Sequence, residues 1–455
     1  NMSRKEFLQT TSYAALFGWL FGGNKKNLTQ RLLNAAGDLG QSQLEQEERR
    51  RWGLREDGIT PIQSIIFLGR RRWNPPGSAV LAEDIDLTNP SVDTNIENGT
   101  YAPEELEFLI SHLQNQGVND IGLSTWIPTG GTESETAAGE TFLSNRAYRD
   151  AVTKIEEKNM SFMPFIEKWH DGPEGTLPVD AFLNPARNGQ VIEFLTSYAL
   201  AYGNSPAWKK YYDQNGELRL PFKIIETISL SDDRSRLAYL SNLTYISEEI
   251  SRRISPQGGP IVKIGFWIDN SRLPIDGDER FQPVVASGEA NDGLDFSSID
   301  SSSLLGSSIF NPNSVPDYLE NINEARDEQG LLTDHALIAM DGLLRAQLDQ
   351  MIDNELPFQL PIMLGYDSRH IPYFEDQNQF GFGLAPAYFD MFVVPLIRDY
   401  AYYSTGFTLG LSNNTSEWNT TLPIVRDGEI DTTLDQMARE AIELYTQYKS
   451  IAPGE

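Results

Sequence analysis

Eight short runs rich in β-branched and aromatic residues recur along this chain, separated mostly by helical patterns of roughly 12–20 residues. The strand candidates are Ser64–Leu68 (SIIFL), Asp120–Trp126 (DIGLSTW), Ser161–Glu167 (SFMPFIE) and Phe222–Ile228 (FKIIETI). Val262–Ile268 (VKIGFWI), Gly306–Phe310 (GSSIF), Leu360–Tyr366 (LPIMLGY) and Phe407–Leu411 (FTLGL) complete the set. Helical spacing is expected over Asn145–Lys158, Gln190–Tyr202, Ser235–Ile254, Asp334–Asn354, Pro386–Tyr403 and Thr432–Lys449. Pro103 before Glu104 and Glu105 marks one more helix start, where proline and acids both suit the first turn. Eight strands interleaved with helices predict a parallel (β/α)8 barrel rather than an open sheet. The sixth run is the least regular, because Asp292–Pro312 is rich in serine and glycine. At 455 residues the chain exceeds the ~150-residue domain prior, yet barrels of this kind use such lengths for one domain. The expected organisation is a leading segment and helical arm over 1–60, followed by one barrel domain over 61–455.

The leading segment carries its own signal. Ser3-Arg4-Lys5-Glu6-Phe7-Leu8-Gln9 resembles a twin-arginine export signal with lysine as the second basic residue, and the apolar run Tyr13–Phe21 follows. Export to a periplasmic, cell-surface or extracellular location is expected, with an amphipathic arm packed on the body as the alternative. The apolar run is far short of the ~20 residues that span a bilayer, and no other stretch is longer, so no integral membrane span is expected. The arm is also the expected contact in any homo-oligomer.

Charge and composition narrow the chemistry. Acids outnumber bases 65 to 36, a formal charge of −29, which repels phosphate backbones and argues against a nucleic-acid partner. Among the basic residues only 11 are lysine and 25 are arginine. That balance suits a hydrated anionic surface in a saline medium, or an ordinary acidic secreted or cytoplasmic protein. There is no cysteine, which removes disulfides, thiolate metal sites and cysteine nucleophiles. The four histidines, His112, His170, His335 and His370, form no HExxH or close pair, and the acidic loop Asp276–Glu279 lacks EF-hand spacing. No metal or organic cofactor is expected. Chemistry must come from carboxylates, hydroxyls and aromatics.

In a barrel the chemistry collects at the C-terminal ends of the strands. Trp126 closes the second run, and Glu167 the third, followed by Trp169 and His170. Glu226 lies near the end of the fourth, Asp269 follows the fifth, Tyr366, Asp367 and Arg369 close the seventh, and Glu417 and Trp418 follow the eighth. Carboxylates beside aromatics are what a sugar site needs: an aromatic face stacks on the C–H face of a pyranose, while carboxylates bind hydroxyls and act as acid, base or nucleophile. The structural alternatives are plain. Asp367 with Arg369 also reads as a pair fixing a turn, Glu167 beside Lys168 as half of a surface ion pair, and the tryptophans as packing.

The order of these pieces resembles a known group. Trp126-Ile127-Pro128, Phe165-Ile166-Glu167, the segment Tyr211–Phe222 (YYDQNGELRLPF) leading into the fourth strand, Trp267-Ile268-Asp269, Leu364-Gly365-Tyr366-Asp367-Ser368-Arg369 and Ser416-Glu417-Trp418 together resemble the barrels of glycoside hydrolase families 71 and 99. The resemblance covers roughly Ser64 to Lys449 and implies a carbohydrate substrate or ligand. It implies that Glu417 matches the first glutamate of a Glu-Trp-x-Glu segment, and that Glu167 matches a sugar-contacting glutamate on the third strand. Two positions depart from it. Thr420 stands where the segment's second glutamate, the proposed acid, would be, and Phe165 stands where the group has histidine. Threonine cannot protonate a leaving group near neutral pH. Either another carboxylate (Glu226, Asp269 or Asp367) takes that task, or the barrel binds glycan without cleaving it, as a surface or assembly protein would.

Overall fold

The protein is described by a computed structural model covering residues 51–67, 80–81, 103–126, 146–167, 188–226, 233–256, 261–270, 303–308, 325–353, 355–367, 369, 380–383, 386–411, 413–414, 419–420, 424–426 and 429–452. Contacts divide the chain into two units between Trp52 and Gly53, and the second unit, Gly53–Glu455, carries the sheet and its helices. The export-like segment lies outside the described residues.

Eight parallel strands close on themselves: β1 (Ile62–Phe67), β2 (Asp120–Trp126), β3 (Ser161–Glu167), β4 (Leu218–Glu226), β5 (Lys263–Asn270), β6 (Leu304–Ser308), β7 (Phe358–Ile362) and β8 (Gly406–Leu411). Each pairs with the next. β3 meets β4 through Phe165↔Lys223, and β8 returns to β1 through Gln63↔Thr408. The fold is therefore a (β/α)8 barrel, as the alternation predicts.

Among the described residues seven helices follow strands: α1 (Pro103–Gln116), α2 (Arg146–Glu157), α3 (Asn188–Tyr202), α4 (Asp233–Ile254), α5 (Asp334–Asp353), α6 (Val394–Tyr400) and α7 (Thr433–Lys449). Pro103 opens α1, as expected. The helix stops at Gly117, whose φ of +103° suits glycine, while Val118 N–H reaches back to Leu113 O at 3.0 Å. A π-helical stretch, Phe389–Val393, leads into α6. The crossover between β5 and β6 lies outside the described residues.

The helices lie against the outer face of the sheet by the usual spacing. In α3, Val191, Ile192, Leu195, Tyr198, Ala199 and Tyr202 are buried, one stripe at intervals of three and four. Tyr198 and Trp208 then pack edge-on against Phe222 of β4 at 5.8 and 5.1 Å between ring centroids. Such buried aromatics carry most of the apolar area that holds helix to sheet.

Three strands depart from expectation: the fourth begins at Leu218, four residues ahead of Phe222. The sixth starts earlier, at Leu304, and Gly306 is needed there because a Cβ would lie 2.4 Å from Trp267 Cζ3 and 2.6 Å from Pro357 O. The seventh stops at Ile362. Gly365–Asp367 instead forms a separate antiparallel ladder with Gly381–Gly383. The cause is a satellite core: Tyr366, fully buried, packs with Phe380 and Phe382 at 5.1 and 6.1 Å and with Leu332, Leu337 and Met340.

Candidate functional site

The described strand ends bring four of the expected site residues to one half of the ring. Trp126 ends β2, Glu167 ends β3, Glu226 ends β4, and Asp269 is next to last in β5. Trp126 and Glu167 are register partners, as are Ile225 and Asp269.

Strand parity sorts these positions, since successive residues alternate between axis and helix side. On β3, Ser161 joins the interior network, Met163 clusters with Trp267, Tyr211 and Leu305, and Phe165 lies beside Lys223 of the neighbouring strand. Glu167 occupies the next position of that series. Trp126 shares parity with Asp120 on β2, and Asp269 with Trp267 on β5. Glu226 has the parity of Phe222 and Ile224, the helix-side residues of β4. By backbone parity the positions of Trp126, Glu167 and Asp269 fall in the axial register of their strands, and that of Glu226 in the other.

Below these positions the barrel interior is a hydrogen-bonded chain of polar groups that the sequence pattern does not reveal. Arg55, from the loop before β1, donates through Nη1 to Ser161 Oγ (2.6 Å). Ser161 Oγ donates to Asp120 Oδ1 at 2.5 Å, and Gln63 Nε2 donates to Asp120 Oδ2 at 2.6 Å. Lys223 Nζ donates to Gln63 Oε1 (3.0 Å), Gln359 Oε1 (3.2 Å) and Thr408 Oγ1 (3.5 Å), and stands 5.8 Å from the Phe165 ring centroid. Lys223, Gln63 and Gln359 are 0% exposed, so this network has no solvent path among the described residues. Burial works against the charges at its floor, but Asp120 and Asp57 outweigh it for Arg55 and raise that guanidinium. Burial, then the Asp120 charge, pushes the neighbouring Tyr211 phenol well up.

The other expected residues fall elsewhere. Asp367 lies beyond the end of β7, buried, with both oxygens taken by Arg369: Nε to Oδ1 at 2.8 Å and Nη2 to Oδ2 at 2.6 Å. Arg369 Nη1 is used on Gln329 O at 2.9 Å, and the hydrogen bonds to Asp367 raise this guanidinium. The pair holds the ladder to the turn at Asp327–Gly330, where Asp327 Oδ1 accepts from the N–H groups of Gln329 and Leu331. Tyr366 is sealed in the satellite core and offers no open ring face. Trp169, His170, Glu417 and Trp418 lie outside the described residues. What is described is the ladder Asn413–Asn414 with Asn419–Thr420, which opens straight from β8 and adjoins Gly365–Asp367.

An apolar hollow lies against β7, opposite β3 in the ring, between α5 and the π-helical stretch; Met340, Leu344, Ile362, Tyr388 and Phe392 line it. It holds none of the strand-end acids. Among the described residues no three His, Asp or Glu side chains converge as metal ligands, and no helix is long and apolar enough to cross a membrane.

No family profile and no curated protein matches the sequence. Among solved structures the chain is similar to the GH99 endo-alpha-mannosidase from Bacteroides thetaiotaomicron, at 12% identity over 86% of this chain and 99% of that one, with a TM-score of 0.48. It is also similar to a family 5 xyloglucanase from Paenibacillus pabuli (12% identity, 86% and 99% covered, TM-score 0.43). A GH5-4 broad specificity endoglucanase from Ruminococcus champanellensis gives 11% identity, 88% and 99% covered, and a TM-score of 0.41. At such distances the barrel assignment rests on this chain's own closed sheet.

Proposed function

We propose that this chain is an exported, carbohydrate-active barrel, a glycoside hydrolase that cleaves an oligo- or polysaccharide with carboxylate chemistry. The observation that carries the reading is the register of Trp126 with Glu167 at the C-terminal ends of adjacent strands, both in the axial register by backbone parity. An aromatic residue beside an acid at a barrel mouth is the pairing that holds a sugar ring and acts on its glycosidic bond. Glu167 and Glu417 serve as the main carboxylates. The proton that Thr420 cannot supply comes from Asp269, which shares the axial register, ahead of Glu226, which does not. Asp367 is not assigned that task, because the Arg369 guanidinium occupies both of its oxygens. No metal or organic cofactor enters this chemistry.

A panel of labelled glycans tests the reading, with Glu167→Gln and Glu417→Gln as controls. Cleavage by the parent chain that falls at least about 100-fold in both variants is expected, the scale of a lost acid or base. Product formation that survives both substitutions overturns the assigned roles.

One observation favours a second reading. Threonine at position 420 removes an acid from the motif, as a barrel that only binds glycan would allow. Glycan retained without product, and retention weakened by Trp126→Ala, would select that reading.

A further inference from the structure

Two tyrosines stand out from the loop that joins α6 to β8, at the end of the barrel opposite the mouth. Tyr402 and Tyr403 are each 43% exposed, and their rings meet edge to face, with centroids 5.4 Å apart and planes at 85°. Neither phenol hydroxyl has a hydrogen-bond partner among the described residues. Each ring leaves in water apolar area that burial would otherwise remove.

The loop beneath them is held by bonds in which the rings take no part. Ser404 is buried; its Oγ donates to Ala401 O at 2.8 Å and lies 2.9 Å from the Tyr445 hydroxyl. Thr405 sends both its N–H and its hydroxyl to Phe358 O, at 2.8 and 3.1 Å. Lys449, the last residue of α7, donates from Nζ to Tyr402 O at 3.0 Å and to Ser404 O. The backbone on either side of Tyr403 is thus clamped to α7 while both side chains face water. The fold sets the two rings in place without using them.

Size and charge decide what such a platform holds. With about 150–250 Å² for a whole aromatic side chain, the exposed parts together come to roughly 130–210 Å². A stable protein interface takes about 800 Å² from each partner, several times more. A second copy also brings another formal charge of −29, which repels the first, whereas a neutral sugar is not repelled. A pyranose stacks its C–H face on a single aromatic ring, so two rings at a right angle suit one or two sugar units.

We propose that Tyr402 and Tyr403 form a second carbohydrate-binding site, a stacking platform that grips a polysaccharide away from the mouth. It takes the ligand class of the proposed function and none of its residues. The six residues of β8, about 20 Å of strand, separate the loop from the mouth, so the platform acts on retention of polymer and not on bond cleavage. Two sites in one chain lengthen its stay on a polymer that either alone would release.

The test is affinity electrophoresis of the full chain through gels containing dextran, mannan, xylan or alginate. The parent should be retarded by at least one of them. Tyr402→Ala combined with Tyr403→Ala should weaken that retention at least about tenfold, the scale of two lost stacking contacts. Tyr402→Phe combined with Tyr403→Phe keeps both ring faces and should stay within about threefold of the parent. Retention by none of these polymers, or equal retention of the parent and the alanine pair, overturns the proposal. So does a sedimentation mass that doubles with concentration in the parent and not in the alanine pair, since the rings would then meet a second copy. No turnover is read, so the outcome is separable from hydrolysis. Retention lost in the alanine pair of a chain that cleaves no glycan leaves this inference standing and refutes the hydrolase. Cleavage by a chain whose retention ignores both tyrosines refutes this inference alone.

Discussion

The barrel axis and the seam between α1 and α7 both bury polar side chains, and they do so by opposite means. On the axis the groups form a chain that crosses from strand to strand, from Arg55 through Ser161, Asp120 and Gln63 to Lys223. In the seam they form a hub. Asp435, in the first turn of α7, accepts from His112 Nε2 (2.8 Å) and Gln116 Nε2 (2.7 Å) on one oxygen and from Arg439 Nε (3.2 Å) on the other. Water also reaches the two differently. Arg55 and Asp120 side chains are 3% and 2% exposed, whereas His112 and Arg439 keep 15% and 37%. A cut chain strands charges where water cannot follow. A hub that loses its centre releases His112 and Arg439 where water can meet them.

The sharpest way to break this contrast is to remove one carboxylate from each. Asp120→Ala takes from Arg55 one of its two carboxylate neighbours and removes a buried acceptor from Gln63 Nε2 and Ser161 Oγ where water cannot replace it, so urea unfolding should lose about 3 kcal/mol. Asp435→Ala should lose about 2 kcal/mol, because two of the three freed donors, His112 and Arg439, are partly solvated while Gln116 is buried. Equal losses would erase the distinction. The axis wall is also sterically closed at Gly306. Gly306→Ala drives a methyl into Trp267 and Pro357, and about 3 kcal/mol should go, with tryptophan fluorescence reporting the shifted indole.

Acid separates the regions next. Burial opposes the Asp435 charge, but the hydrogen bonds from His112, Gln116 and Arg439 outweigh it and hold this carboxyl down at about 2. The folded value lies below the unfolded one of about 3.9, so the folded state gains stability that is complete above that pH. It is lost as pH falls from about 4 to about 2, a change of about 2 kcal/mol. Asp435→Asn should flatten that part of the acid-unfolding curve. An unchanged curve would mean that the seam does not bear the charge assigned to it.

Legibility in the sequence divides along the same line. The strands and helices are readable because their outer faces are apolar in runs, as in the stripe Val191, Leu195, Tyr198 and Tyr202 against Phe222. The axis is not. Lys223 and Gln359 each sit alone in an apolar run and Gln63 has only Ser64 beside it, and so isolated a polar residue in a strand reads as a surface position. Only closure of the ring turns them toward one another. His112 shows no metal spacing, and its partner Asp435 lies 323 residues on, a separation no local pattern shows. At the mouth, Trp126 and Glu167 are legible because their strands end where the runs end. Asp367 reads as the end of β7 because Leu360–Tyr366 is one run; the strand stops at Ile362, and Tyr366 turns into a core of its own.

The smallest prediction concerns the outer face of the helix ring. Gly342 lies inside α5, exposed, and a Cβ there would meet nothing within 4 Å. With no neighbour to gain or to strike, only the backbone decides. Glycine loses more conformational freedom than alanine when fixed in a helix, so Gly342→Ala should stabilise the chain by about 0.5–1 kcal/mol in the same urea titration. The sign is the useful part. On the axis a single methyl at Gly306 destabilises because the space is filled, and on the ring a single methyl stabilises because the space is open. A loss of stability at Gly342 would mean that another part of the chain covers this face of α5, and the ring would then be packed on both sides as the axis is.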